Sequence, residues 1–194
     1  MEYSLVSKRI QFFFGHFVLS ILIALTLICV VFLLWYPFPL AKAVGVTHIF
    51  LMLIVIDVII GPMLTFLVYK EGKKTLKMDL SIIVLVQIAV LSYGIYNITE
   101  GRPVWIVQNG NRFELVRNNE IVNQNIGNAK TEYQQPSWLK PKFVALEQSK
   151  SIEEKNINIF EELSTGISAS LRPERYTSLK QEKLRLGQKK IEYV

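Results

Sequence analysis

Between Ile49 and Tyr69 the chain reads IFLMLIVIDVIIGPMLTFLVY, 21 residues with a single charged side chain, Asp57. About 20 apolar residues in a helix span the hydrocarbon core of a bilayer. A carboxylate inside such a span is costly unless it is neutralised, paired or turned away from lipid. The stretch therefore asks for a membrane helix with neighbours, because a lone helix would leave Asp57 in hydrocarbon. Gly61 and Pro62 follow one turn later. Gly61 lets a neighbouring helix approach closely. Pro62 removes an N–H and frees a carbonyl near Val58, which favours a local kink over a moving hinge.

Two further spans flank this one. The first covers about residues 12–36, with no charge from Phe17 to Tyr36. It ends in Trp35-Tyr36-Pro37-Phe38-Pro39, where the aromatics suit the headgroup level and the prolines stop a helix. Lys8-Arg9 and Ala41-Lys42-Ala43 have the form of a signal peptide's ends. The run exceeds the roughly 7–15 apolar residues of a signal sequence, so an uncleaved span is expected. The third span covers about residues 80–98. The loop KEGKKTLKMD before it holds four lysines in ten residues, Lys70, Lys73, Lys74 and Lys77. With Lys8 and Arg9 they make six basic residues on one side of the three spans, against Lys42 alone on the other. Positive charge stays in the cytoplasm, which orients the N-terminus and lysine loop inward. Residues 101–194 then lie on the far side, the periplasm of a Gram-negative cell. The net charge of +6 is explained by these topology signals and by contact with anionic lipid. A nucleic-acid partner is not expected.

At about 1.5 Å per residue, Asp57 lies about 18 Å above Tyr69, and Ser92 and Tyr93 reach the same height above Leu80. Gln87 falls one turn lower, and Thr26 lies near the middle of the first span. Candidate contacts, within the bundle or with a partner helix, are Asp57, Gly61, Pro62, Gln87, Ser92 and Tyr93. Asp57 has two readings, an internal packing contact or a docking point. A proton relay needs further titratable groups, and the spans are expected to offer none along the path. No catalytic motif is present. His16 and His48 fall at opposite ends of the bilayer, and Cys29 is the one cysteine. No metal site, cofactor, disulfide framework or enzymatic activity is expected.

The second half has the mixed composition of a small α+β domain. Val104–Gln108 and Arg112–Val116 are β-prone, and Asn109-Gly110 between them signals a type I′ hairpin turn. Asn118-Asn119-Glu120 suggests a turn, residues 123–142 read as loop, and Phe143–Leu146 as a further strand. Ser151 and Glu154 form a capping box that opens a helix ending at Gly166. Ile152, Ile159, Phe160 and Leu163 fall near one face of that helix. From about residue 171 a basic tail begins. Its segment from Lys180 to Lys190 reads as a helix with a weak stripe of Leu184, Leu186 and Ile191. The fold class is thus a membrane bundle of three helices over residues 1–100, plus a periplasmic α+β domain over 101–194.

The order of these motifs resembles a known family. A basic N-terminus precedes a span ending in Trp35-Tyr36-Pro37. Asp57-Val58-Ile59-Ile60-Gly61-Pro62 follows, then a Gly72–Leu80 segment of the form GKKxLKxDL. A third span carries Gln87 and Tyr93-Gly94, and Arg102-Pro103-Val104 opens a β-prone segment. This is similar to the TfpX/TfpZ type IV pilin accessory proteins, also called fimbrial assembly protein FimB. The likeness is good over residues 5–116 and looser to Gly166. It implies a non-enzymatic inner-membrane protein that helps a major type IV pilin reach the surface as assembled pili. Such proteins act as pilin-specific chaperones or as modulators of assembly against retraction. The family brings no catalytic residue to place here.

Overall fold

The computed structural model describes residues 2–149 and 151–183, with side chains from Lys8 onward. The chain divides into two units, residues 1–99 and 100–194.

The first unit is helical. α1 (Glu2–Cys29) passes without a break into a π-helical segment, Val30–Trp35. α2 (Leu40–Val44) is a short helix in the link, closed by left-handed Gly45 at φ 76°. α3 covers Val46–Val68 and runs through Pro62, and α4 covers Leu76–Glu100. Three helices are thus long and apolar enough to cross a membrane, Lys8–Trp35, Val46–Val68 and Leu76–Glu100. Two boundaries differ from the sequence expectation. The link contains α2, and α4 starts at Leu76 rather than Leu80, so Lys77 sits in its first turn. Asp79 accepts from Thr75 Oγ1 at 3.0 Å and pairs with Lys73 at 2.6 Å, which holds those extra residues helical. Acidic side chains suit a helix's first turn.

The core of this unit joins α1 to α3, with Val31, Trp35, Tyr36, Phe50, Ile54 and Ile98 buried. Phe32 meets Phe50 edge to face at 5.5 Å. At the opposite end, Arg9 Nε donates to Phe66 O at 2.5 Å, and its guanidinium lies 4.2 Å from the Phe66 ring. Arg9 thereby covers a carbonyl that the end of α3 leaves without a helical donor. Much of the outward surface is apolar, with Leu33, Ile49, Leu67 and Leu85 all exposed. Such a surface suits hydrocarbon rather than water.

The second unit is built on a four-stranded sheet in the order β2-β1-β3-β4. Its strands are β1 (Pro103–Asn109), β2 (Arg112–Arg117), β3 (Lys142–Leu146) and β4 (Tyr176–Thr177). β1 runs antiparallel to β2 and parallel to β3. Asn109 pairs with Arg112, so the turn residues are Gly110 and Asn111, one position later than expected. Only Gly110 has positive φ, 59°. That is the type II′ pattern, with glycine at the first central position, rather than type I′. Counting from this closing pair, the backbones of Arg112, Glu114 and Val116 face β1, and those of Phe113, Leu115 and Arg117 face the open edge. The Arg117 N–H on that edge is taken by Glu120 Oε2 at 2.9 Å.

One sheet face carries the core. Trp105, Tyr133 and Tyr176 meet edge to face at 5.6–5.9 Å, with Val107, Val116 and Val144 buried around them. Tyr176 donates to Ser170 O at 2.5 Å. Burial, with Glu132 nearby, pushes the Tyr133 phenol up to about 12. α5 (Ile152–Thr165) has the expected caps. Ser151 Oγ accepts from Glu154 N at 3.1 Å, and Gly166 takes φ 69°. Its apolar face points outward, however: Phe160 is 74% and Leu163 78% exposed. Residues 179–183 are helical; the rest of the expected tail helix lies outside the described residues.

Glu114 clamps the segment after α5 to the sheet. Its carboxylate accepts from Asn109 Nδ2 at 3.0 Å, from Arg112 Nε at 2.7 Å and from the Ser170 hydroxyl. Burial alone would raise its pKa, but the bonds from Ser170, Asn109 and Arg112 outweigh that and hold it below the ordinary glutamate value. A carboxylate with a depressed folded pKa stabilises above its unfolded pKa, about 4.3. That stabilisation is lost as pH falls through the folded value. Glu114→Gln should therefore lower the denaturant midpoint of the second unit at neutral pH. The gap to wild type should narrow below about pH 4, measured on the full chain in detergent.

Candidate functional site

Asp57 and Gln87 meet between α3 and α4. Gln87 Nε2 lies 3.3 Å from Asp57 Oδ1 and 3.2 Å from the Asp57 carbonyl oxygen, donating to both. Gln87 Oε1 is buried and accepts no hydrogen bond among the described residues. A Cβ at Gly61 would overlap the Gln87 amide. Glycine leaves that volume to the amide, which a side chain at position 61 would displace. Pro62 is buried beside it. It leaves Val58 O without its helical donor, one residue from the carbonyl that Gln87 reaches.

The structure brings together Asp57, Gly61 and Gln87, but not Ser92 and Tyr93. Both of the latter are exposed, Tyr93 to 71%. The reason lies in the helix ends. Asp57 is eleven residues before the end of α3, and Gln87 is eleven residues after the start of α4. Starting the third span at Leu80 placed the level of Asp57 more than a turn too far along. Thr26 is not a partner either, since it bonds its own helix at Leu22 O, at 2.9 Å.

Three residues add to the site. His16 Nδ1 is 2.7 Å from Thr65 Oγ1, linking α1 to α3, and Ser20 is buried one turn along α1. His16, Ser20, Thr65, Asp57 and Gln87 line one cavity of about 390 Å³ among α1, α3 and α4. The expectation that the spans offer no further titratable group near Asp57 is thus corrected by His16. A second cavity, about 350 Å³, opens between α3 and α4, and Asp57 and Gln87 line it too. The other walls of both are apolar, mainly leucine, isoleucine and valine. A second close approach lies further along, where Leu53 fills the space a Cβ would take at Gly94. The signal for Gly94 was a small residue inside an apolar span, the same signal that singled out Gly61.

The lysine loop is exposed, with Lys70, Lys73, Lys74 and Lys77 all at the surface. Lys8 reaches across to Glu71 at 2.5 Å. An exposed pair of this kind is screened by solvent and contributes little, so the loop's weight lies in its charge.

Removing the α3–α4 contact tests this geometry. Gln87→Ala should cost about 1 kcal/mol, the usual range for a polar contact between membrane helices. Gly61→Leu should cost more, because it forces the amide out and separates the helices. Ser92→Ala and Tyr93→Phe should leave the melting temperature in detergent unchanged.

Known relatives match parts of this chain. The family model described as "Fimbrial assembly protein FimB" matches residues 4–45. "Fimbrial assembly protein, serogroup E1" of Dichelobacter nodosus is 31% identical over 169 residues, 86% of this chain and 65% of the relative. "Fimbrial assembly protein, serogroup I" of the same organism is 30% identical over the same share of each. The chain thus spans just under two thirds of the length of these two relatives. The protein of serogroups C1 and C2 is 39% identical over 94 residues, 47% of this chain and 72% of the relative. No solved structure matches. With a relative covered over most of its length and a family model on the first span, the chain belongs to the FimB family of fimbrial assembly proteins.

Proposed function

We propose that this protein is an inner-membrane accessory protein of type IV pilus biogenesis. It assists a cognate major pilin in assembly and surface display, without enzymatic chemistry. The observation that carries this reading is membership of a family whose relatives are named for fimbrial assembly. The three long apolar helices and the charge asymmetry of their flanks support it. In this reading the N-terminus and lysine loop face the cytoplasm and the second unit faces the periplasm.

The membrane contact proposed for the pilin helix is the α1–α4 cleft, where Asp57 and the unfilled acceptor of Gln87 form a polar floor under apolar walls. Gly61 is not part of that surface, because Gln87 already occupies its open side. In the periplasm, the outward apolar stripe of α5 offers a contact for the folded part of the pilin, with Ile157, Phe160 and Leu163 exposed. Exposed apolar helix faces of this kind mark interaction surfaces.

Asp57→Asn and Asp57→Leu should both lower surface pili severalfold while leaving the abundance of the accessory protein unchanged. Full piliation in both variants would sink the docking role. Loss of the protein itself would assign Asp57 to internal packing. Phe160→Asp should likewise reduce piliation at constant abundance, because it places a charge in the proposed contact. A second reading, a small transporter subunit or membrane enzyme, draws on His16 and Asp57 sharing one cavity. Vesicles loaded with a pH-sensitive dye separate the two: under the accessory reading, reconstituted protein leaves an imposed proton gradient intact.

A further inference from the structure

Trp138 is 62% exposed and Leu139 51% exposed, on a loop braced by Pro136 and Pro141. The place of this loop in the fold is set by Arg102, whose guanidinium lies 4.8 Å from the Trp138 ring. Arg102 is itself buried, and it is the second residue after Glu100, where α4 ends. Two residues of chain reach at most about 7 Å. Trp138 is therefore held close to the point at which the chain leaves α4.

The depth of that point follows from the helix. The apolar part of α4, Leu80 to Ile98, measures about 28 Å at 1.5 Å per residue, close to the hydrocarbon thickness of about 30 Å. Glu100 and Arg102 then fall at headgroup level. Tryptophan prefers that level, where its ring is apolar and its N–H finds polar partners. The neighbours have matching chemistry. Leu139 supplies an apolar tip, and exposed Lys140 supplies a cation whose long apolar stem lets it reach lipid phosphates.

We propose that Trp138 and Leu139 form an interfacial anchor, seated in the bilayer surface beside the end of α4. The occupant of this surface is lipid, and the proposal rests on the reading that α4 spans the membrane. The anchor restrains the second unit at a point remote in sequence from its tether, so the unit is held by two attachments instead of one.

The test uses the full chain with Cys29→Ser, reconstituted into vesicles of phosphatidylcholine brominated near the top of its acyl chains. A fluorescent label is placed in turn at Leu139→Cys, at Asn111→Cys on the hairpin tip at the other end of β1, and at Leu85→Cys on the outward face of α4. Bromine should quench the labels at 139 and 85 at least about twofold more than the label at 111, as expected for groups at or below the interface. Adding Trp138→Ser should reduce the quenching at 139. If 85 is quenched and 139 behaves like 111, the anchor is wrong and the spanning helix stands. If 85 is not quenched, the spanning reading falls and takes the anchor with it.

Discussion

Helices in hydrocarbon gain nothing by hiding apolar side chains from one another, because lipid is as apolar as leucine. Association depends instead on close packing and on polar contacts that have no better alternative. With the three long helices read as membrane spans, that constraint falls on the contact of Gln87 with Asp57 across Gly61. α1 and α3 share an extended core and are tied at one end by Arg9 and His16. α4 has almost no buried surface of its own; Ile98 is its one buried residue. It is held at Gln87, at Gly94 against Leu53, and at Ile98, whose carbonyl accepts from Tyr36 Oη at 2.7 Å. Asp57, which looked like a liability in an apolar stretch, thus lies at the contact that α4 makes through Gln87. The clefts on either side of that contact exist because α4 touches its neighbours at a few points instead of along a seam.

The second unit solves a different problem. It has few residues and no disulfide to stiffen it, so its sheet depends on three aromatic rings packed edge to face. Glu114 gathers donors from the hairpin and from the loop after α5, which fastens two sequence-distant segments together. α5 is held from its polar side, with Arg172 on Glu161 at 2.5 Å and Asn158 on Ser149 at 2.9 Å. Its apolar side is left over. This inverts the usual arrangement, in which the apolar stripe of a helix faces its own core.

Much of this was readable in the sequence, for reasons that differ by element. The three long helices were visible because a bilayer demands length and apolarity together. Asp57 and Gly61 stood out because each breaks the composition around it. The partner of Asp57 was misplaced because composition locates a span but not the first turn of its helix. Lys77 and Asp79 before Leu80 looked like loop and are helix, and four residues move a contact by more than a turn. The hairpin turn shifted for a related reason. Asn-Gly reads as a type I′ centre, but strand register, set by the side chains that must face the core, put Gly110 first. The inverted face of α5 was invisible, since periodicity reports that a helix is amphipathic and not which way it faces. His16 was passed over because its partner, Thr65, lies 49 positions away and looks ordinary on its own.

The carboxylate of Glu120 on the Arg117 N–H bears on how this domain behaves in company. β2 is an edge strand, and a bare edge is a template on which another chain can add a strand. With Arg117 occupied, only Phe113 and Leu115 still present free backbone groups outward, too short a row to register a second strand. The β2 edge is therefore poorly suited to add a strand. Under the proposed function, such an edge lets the protein bring side-chain surfaces to a self-assembling partner and keep its own backbone from being drawn into a sheet.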